Sequence, residues 1–403
     1  MKMASFRLVL VFAALLLLRA WVSVDRVCAD TTYFPIPSAS TTRNDGNDFG
    51  LIVPIIVTDP DGELKYIHAP MLVHNSFLGV RGTYNLFKYD TGGRQTRFQA
   101  SFTERIERKL VFNYLDPALA DGRYAFNVGA SFFKNGTSRF FGISQQTVEE
   151  DETNYTAREF RANWKFGVHL NEVTQIAIGQ RYREVRIERG GARKLPYSME
   201  HPSTANADGM RGAAIYGHRI TFHYDTRDNL ISPTVGTQIT AYAELNQNFR
   251  NGENPVYSRT ELEIKKMFPS ESKQMILVVR GNLQTTHGFE VPFYERSSLG
   301  GQNNLRGYGV DRFIDDHLVS FNVEQRIHVL RTRVANVMAE LEVAPFIDMG
   351  KTFNTFKKRQ FKDYEATPGI GFRVVVRPGT VGRIDYGYSK EGGAVFAGLD
   401  YPF

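Results

Sequence analysis

The sequence is poor in cysteine and in long apolar runs, and each shortage excludes a class of protein. One cysteine in 403 residues cannot build a disulfide framework or a cysteine-based metal site. A long apolar run occurs only at the N-terminus and the mean hydropathy is negative, which excludes a helical membrane protein. Abundant instead are Phe, Tyr and Gly, with 30, 19 and 35 residues. This composition favours an all-β chain, and a membrane β-barrel in particular.

Residues 1–29 have the pattern of a secretory signal peptide. Lys2 and Arg7 precede an apolar stretch at 8–18, and a small-residue site resembling A-x-A ends at Ala29. The apolar stretch is too short to span a bilayer. We therefore predict cleavage after Ala29, which removes the only cysteine and leaves a mildly basic chain with no nucleic-acid partner expected.

The rest of the chain alternates between apolar and polar residues. Residues 30–49 are polar and contain two prolines, so we interpret them as a short periplasmic linker. Beyond them, apolar side chains alternate with Gly and Arg in 370–377, for example, and such a period of two indicates strands. The pattern predicts about sixteen strands. One lies within 50–74 and the others at 77–89, 93–104, 107–116, 122–133, 157–170, 172–187, 216–227, 235–248, 256–268, 273–287, 317–330, 335–348, 367–377, 381–390 and 394–403.

Strand length and the order of the loops favour a membrane barrel over a secreted all-β domain. Many of these strands are long enough to cross a bilayer at a tilt. The links after even-numbered strands are short, whereas long links follow odd-numbered strands at 134–156, 188–215, 288–316 and 349–366. Outer-membrane barrels have such short periplasmic turns and long outer loops. We therefore predict that residues 50–403 form a transmembrane antiparallel barrel closed by its first and last strands.

One loop carries a family signature. Residues Leu305-Arg306-Gly307-Tyr308 resemble the Arg-Gly-aromatic signature of the bacterial surface antigen family, the BamA/TamA type of outer-membrane assembly barrel. In that family the signature lies in the sixth extracellular loop, after strand eleven, and the loop folds back into the lumen. The strand prediction also puts this segment after strand eleven.

Further segments match the family in chain order. Residues 322–326 are similar to its Glu-x-Arg on strand twelve, and 346–350 to its Phe-x-Asp-x-Gly on strand thirteen. A hairpin motif resembles its Asp-Thr-Arg-Asp … Pro-Thr-x-Gly, and the chain end resembles the β-signal that assembly machinery binds by strand addition. The hairpin residues are Asp225, Arg227, Asp228 and Gly236, and the β-signal residues are Gly398, Tyr401 and Phe403.

Strand alternation puts Glu324 and Asp348 on the lumen face of neighbouring predicted strands. The planar guanidinium of Arg306 can bind two carboxylates at once, and flanking glycines let its loop bend inward. We therefore predict a cluster that pins the loop inside the barrel. Its residues are Arg306, Gly307, Tyr308, Glu324, Asp348 and Gly350.

The resemblance implies a protein that assists insertion or translocation of proteins at the bacterial outer membrane. Its expected partners are outer-membrane lipids, client outer-membrane or secreted proteins, and the host assembly machinery that inserts the barrel; we expect a monomer. The family's periplasmic POTRA domains precede the barrel. The residues between Ala29 and the first predicted strand are too few for one, so we expect a stand-alone barrel.

Three alternatives stay open. Charged lumen residues also suit a passive or gated pore or transporter, plugged by the loop at 288–316. The long loops at 134–156 and 188–215 suit a surface antigen or adhesin. The chain has no Gly-x-Ser-x-Gly, Walker or His-Glu-x-x-His motif, so we predict no catalytic residue, cofactor or metal and no enzyme. An enzyme barrel would need an activity that depends on His223 or His328.

Overall fold

The computed structural model describes most of the chain. The described residues are 31–33, 35–42, 44, 46–61, 63–90, 93–191, 194–230, 232–250, 254–334, 337–356, 362–376, 380–398 and 401–403. The predicted signal peptide lies outside the described residues. Within them, no helix is long and apolar enough to cross a membrane.

The regular secondary structure of the described residues is strand, apart from short 3₁₀ turns at Glu149–Asp151 and Phe293–Glu295. The strands are β1 Thr31–Tyr33, β2 Ile36–Thr42, β3 Gly46–Ile52, β4 Ile55–Thr58, β5 Leu64–Asn75, β6 Gly79–Tyr89, β7 Gln95–Thr103, β8 Arg108–Leu119, β9 Tyr124–Phe140, β10 Thr153–Asn171, β11 Thr174–Arg189, β12 Ala213–Asp225, β13 Gly236–Asn248, β14 Val256–Pro269, β15 Met275–Gly288, β16 Ser297–Leu299, β17 Phe313–Asp315, β18 His317–Val334, β19 Val337–Phe353, β20 Glu365–Val376, β21 Thr380–Ser389 and β22 Gly392–Gly398.

Twenty strands form one antiparallel sheet, and β16 and β17 form a separate small one. From β5 onward each strand pairs with the next along the chain, except that β15 pairs with β18 across the loop that contains β16 and β17. At the ends of this ladder, β2 and β22 approach within 8 Å between Cα atoms. The described residues of these two strands show no pairing register with each other. From β5 onward the sheet is therefore a meander of sequence neighbours, interrupted only by the loop between β15 and β18.

The N-terminal region differs from the prediction. Residues assigned to a linker form β1, β2 and the start of β3, and the single strand expected in 50–74 corresponds to β5 preceded by β3 and β4. Strands β2 and β3 pair as a hairpin, and β3 and β4 both pair with β5. Pro35 lies between β1 and β2, and Pro54 lies between β3 and β4. Proline has no N–H to donate to the hydrogen-bond ladder, which accounts for both interruptions. Little apolar alternation marks β2, so the sequence pattern missed it.

The long loops are shorter than predicted. Strand β9 continues to Phe140 and β10 begins at Thr153, which takes residues from both ends of the predicted loop at 134–156. Strand β19 likewise continues to Phe353. Apolar alternation ends where a strand leaves its apolar surroundings, but backbone pairing continues beyond that point. The strand ends were therefore placed too early.

The last strand also ends earlier than predicted. Strand β22 ends at Gly398 in the described residues, and 401–403 are not part of a strand. The prediction of one strand over 394–403 is therefore wrong at its end. Pro402 has no N–H to donate to a neighbour, and the side chains of Tyr401 and Phe403 contact charged and apolar residues of β14, β15, β18 and β19.

Burial in the sheet is the reverse of that in a soluble protein. In β20, Arg373 is 1% exposed while its neighbour Phe372 is 54% exposed. The pattern repeats along the large sheet, called the wall from here on. Large exposed apolar residues cover its outer face: Ile178, Ile220, Phe321, Phe372 and Ile384. A wall that buries charge and presents apolar side chains outward is suited to hydrocarbon, in which a barrel pairs every backbone polar group.

Candidate functional site

The candidate site is built on the loop between β15 and β18, residues 289–316. The loop folds back on itself, with β16 paired to β17 and the backbone N–H of Gly301 donating to the Tyr308 carbonyl at 3.1 Å. Its own apolar cluster stabilises this shape. The cluster consists of the buried residues Leu299, Leu305, Tyr308 and Phe313, with Leu318 from β18.

The tip of this loop presents a buried arginine to two strands. Arg306 is 1% exposed. Its Nε and Nη2 donate to Oδ2 and Oδ1 of Asp348 at 2.8 Å each, and its Nη1 donates to Oε2 of Glu324 at 2.7 Å. Its backbone N–H also donates to Asp348, at 3.1 Å. Asp348 thus binds both the side chain and the main chain of the loop tip.

Neither carboxylate depends on Arg306 alone. Glu324 also accepts from Arg373 at 2.9 Å and from Arg326 at 3.1 Å. Asp385 on β21 pairs with Arg373 at 2.8 Å and lies 3.5 Å from Arg306. The three carboxylates and their arginines come from four neighbouring strands, β18 to β21, plus the loop. Burial disfavours charge on Arg306, but Asp348 and Glu324 outweigh it and raise its pKa above the usual value, so it stays a cation.

Close backbone approach holds the loop tip against the wall. A Cβ at Gly387 on β21 would overlap the Arg306 carbonyl oxygen, and one at Gly350 would lie 2.7 Å from Leu299. A Cβ at Gly307 would likewise overlap the Thr367 side chain, and the Gly307 carbonyl accepts from the Ser389 hydroxyl at 2.8 Å. The backbone of the loop tip therefore packs directly on the wall, in addition to the side-chain bonds of Arg306.

Two aromatic contacts complete the site. The Arg306 guanidinium lies 3.4 Å from the centre of the Phe346 ring, a cation–π contact. The Tyr308 hydroxyl donates to Glu365, and burial together with that carboxylate raises the pKa of Tyr308. Tyr308 is thus a neutral donor at any ordinary pH.

The hairpin motif forms the turn between β12 and β13. Arg227 binds Asp225 through Nε and Nη2, at 2.9 and 2.7 Å. Asp228 accepts from the backbone N–H groups of Thr234 and Val235. Gly236 has φ +121°, and a Cβ there would lie 2.5 Å from the Thr226 carbonyl. These contacts within the turn account for all four residues of the motif.

The three β-signal residues lie in different surroundings. Gly398 ends β22, whereas the Tyr401 hydroxyl lies 3.0 Å from Glu342 and its ring lies 3.5 Å from the Arg326 guanidinium. Phe403 packs on the buried apolar residues of β14 and β15, with the Arg306 guanidinium 5.3 Å from its ring. The C-terminal residues Tyr401 and Phe403 therefore lie beside Arg326 and Arg306.

Sequence reasoning missed several members of this cluster. It named neither Asp385 nor Arg326 as site residues, and it read Arg373 only as one polar position of a strand. The alternation signal was present for all three, since each lies on the polar face of its strand. What the sequence lacked was the register that brings β18, β20 and β21 residues to one point.

One group could hold a metal ion by its residue types. Ligand atoms of His328, Glu340 and Glu342 lie within 4.8 Å of one another. His328 and Glu342 are paired across β18 and β19, and Tyr401 and Arg331 already engage the two carboxylates. Cross-strand ion pairing accounts for this group.

Two solved structures have a similar fold. BamA from Haemophilus ducreyi lacking POTRA domains 1–3 matches with a TM-score of 0.55 and 15% identity, over 91% of this chain and 75% of that one. CdiB from Acinetobacter baumannii matches with a TM-score of 0.50 and 10% identity, over 92% of this chain and 59% of that one. At these identities the likeness shows the fold. A comparison with curated protein sequences finds no match.

The all-β meander, the inverted burial and these matches define the class: a BamA-like barrel of the bacterial outer-membrane type. The Omp85 superfamily domain matches residues 77–392. The chain belongs to the Omp85 superfamily, which bears out the resemblance to BamA/TamA-type barrels.

Proposed function

We propose that the protein assists insertion or translocation of client proteins at the bacterial outer membrane, as a closed barrel whose 289–316 loop is pinned inside the lumen by Arg306. The observation that carries this proposal is the contact of Arg306 with Asp348 and Glu324. Breaking a buried ion pair by removing one partner leaves an uncompensated charge. A loop held in this way keeps its position when other strands of the wall move.

The proposed entry site for client strands is the junction of β2 and β22. These strands lie within 8 Å of each other between Cα atoms, and their described residues show no pairing register with each other. An exposed backbone edge is a template for strand addition. A client strand would pair with the edge that opens there, while the wall shields its polar groups from lipid.

The decisive experiment locks this junction. Cysteine pairs with one member in 36–42 and the other in 392–398 are oxidised in the purified barrel, reconstituted in liposomes. The yield of folded client barrel is then measured from its heat-modifiable migration. We expect locked protein to lose the yield and reduction to restore it.

A control pair, Ile220→Cys with Ala243→Cys, sits at directly opposed positions of β12 and β13 and bridges strands that stay paired. Oxidising it should leave the yield unchanged. Full client insertion by the barrel locked between β2 and β22 would sink the insertion proposal.

A passive or gated pore is the second candidate, because buried arginines and carboxylates line the wall's inner face. In that case the loop is a plug. Planar-bilayer conductance of the wild type and of a variant lacking 289–316 separates the two functions. A large rise in conductance without any client insertion by either protein would favour the pore.

A further inference from the structure

The 289–316 loop carries a second buried charge, of the opposite sign to Arg306 and eleven positions before it in sequence. Glu295 ends the 3₁₀ turn Phe293–Glu295 and is 0% exposed. A fully buried carboxylate is costly unless it is paired and hydrogen-bonded. Its partners therefore show what holds this half of the loop.

All the charged partners of Glu295 belong to the barrel wall. Oε1 accepts from Arg183 at 2.6 Å and from Arg181 at 3.1 Å, both on β11. Oε2 accepts from Arg181 at 2.5 Å, and from the Tyr257 hydroxyl at 3.0 Å and Arg259 at 3.2 Å on β14. Burial raises the pKa of Glu295, but these arginines outweigh it and hold the pKa well below the usual value. The carboxylate is thus ionised and fully satisfied.

The wall arginines are also oriented by partners of their own. Glu159 on β10 binds Arg183 at 2.8 Å, and Glu244 on β13 binds Arg181 at 2.9 Å. The same Arg183 donates to the backbone carbonyl of Tyr294 at 2.9 Å. This receptor for the loop carboxylate is therefore held in place by the wall itself.

An apolar contact beside Glu295 reinforces the attachment. The Phe293 ring stacks on Phe140 of β9 at 4.2 Å between centres and meets Tyr155 of β10 edge-on at 5.4 Å. The Phe293 backbone N–H donates to the Asp208 carbonyl at 2.8 Å. The attachment therefore combines a buried ion cluster with aromatic packing and a backbone bond.

We infer that the loop is anchored independently at two places on the wall, with Glu295 as the positioning residue that holds its first half to β11 and β14 while Arg306 holds its tip to β18 and β19. The two anchors have opposite polarity, because the loop supplies the anion at one and the cation at the other. They share none of the residues named here. Release of Arg306 alone therefore leaves the loop attached across the lumen.

This inference rests on the proposed function only for the loop's place in the barrel, and its test needs no client. Hydrogen–deuterium exchange is followed by mass spectrometry in the purified, folded barrel, for peptides covering 291–297 and 302–308. Amides in both stretches are hydrogen-bonded, including those of Phe293, Glu295 and Tyr308. Heat-modifiable migration establishes that each variant is folded before exchange is measured.

We expect Glu295→Gln to speed exchange in 291–297 by roughly tenfold or more through local opening, with 302–308 still protected. Arg306→Lys should do the reverse. Glu271→Gln is the matched control, because Glu271 is an exposed glutamate in the turn between β14 and β15, and it should change neither peptide. If Glu295→Gln does not fold, Tyr257→Phe removes one donor to Glu295 with little change of shape and should speed exchange in 291–297 to a smaller extent.

Two results would overturn the inference. Unchanged exchange in 291–297 in the folded Glu295 or Tyr257 variant would mean that the carboxylate holds nothing. Equal release of both stretches by either variant would mean one cooperative unit with a single anchor. A client-insertion defect has no bearing on either outcome, so failure of the proposed function remains distinguishable.

Discussion

Arg306 and Asp348 form a two-point pair in which Nε and Nη2 each donate to a separate carboxylate oxygen at 2.8 Å. The pair joins the tip of a loop to β19 on the inner face of the wall. Because both partners are buried, water cannot replace either bond.

Arg306→Lys should lower the free energy of unfolding by about 2 kcal/mol, because an ammonium cannot bind Asp348 at two points and Glu324 as well. The measurement is urea unfolding of the reconstituted barrel. Arg186→Lys is the control, since Arg186 is a half-exposed partner of Glu184 and surface pairs contribute little. Equal stability of the Arg306 variant and wild type would show that the contact is not a clamp.

Gly387→Ala should destabilise the protein by about 1–3 kcal/mol through overpacking, because the new methyl group would overlap the Arg306 carbonyl oxygen. Gly382→Ala on the same strand is the control, since its Cβ would come no closer than 4.0 Å to the Val374 carbonyl. Thermal unfolding compares the two. Matching midpoints would argue against direct packing of the loop on β21.

Gly236→Ala should impair assembly of the β12–β13 hairpin, with a cost of about 1–3 kcal/mol from backbone strain. The residue has φ +121°, which L side chains rarely adopt, and its Cβ would crowd the Thr226 carbonyl. The folded fraction after refolding into detergent is the readout. Gly281→Ala, whose Cβ meets only the Phe321 ring at 3.8 Å, should refold like wild type, and a similar yield for both would contradict the argument.

Tyr401→Phe should cost about 1 kcal/mol of stability by removing the donor to the buried Glu342 carboxylate. Tyr388→Phe serves as the matched control, because Tyr388 is 58% exposed on β21. Chemical unfolding of both variants is the measurement. Equal losses for the two variants would mean that the Tyr401 hydroxyl contributes no stability through Glu342.

Strand alternation was a reliable guide from β5 to β21. In β20 it separates buried Arg373 from exposed Phe372, as predicted for that segment, because alternate side chains of any strand point to opposite faces. It failed at β2, where Ile36 and Ala39 are three positions apart and leave no period of two to detect. It also failed at Tyr401 and Phe403, where contacts from distant strands decide the direction of the chain.

The sequence by itself determined the class of fold and the nature of the two faces, since a period of two is a local property of the chain. It also identified Arg306, Glu324 and Asp348, whose joint role as a clamp stays a prediction. Only the tertiary structure decided which charges meet. Glu295 and Arg181 are more than a hundred residues apart, and their contact follows from the register of the strands and the path of the loop across the wall, neither of which any short segment of sequence contains.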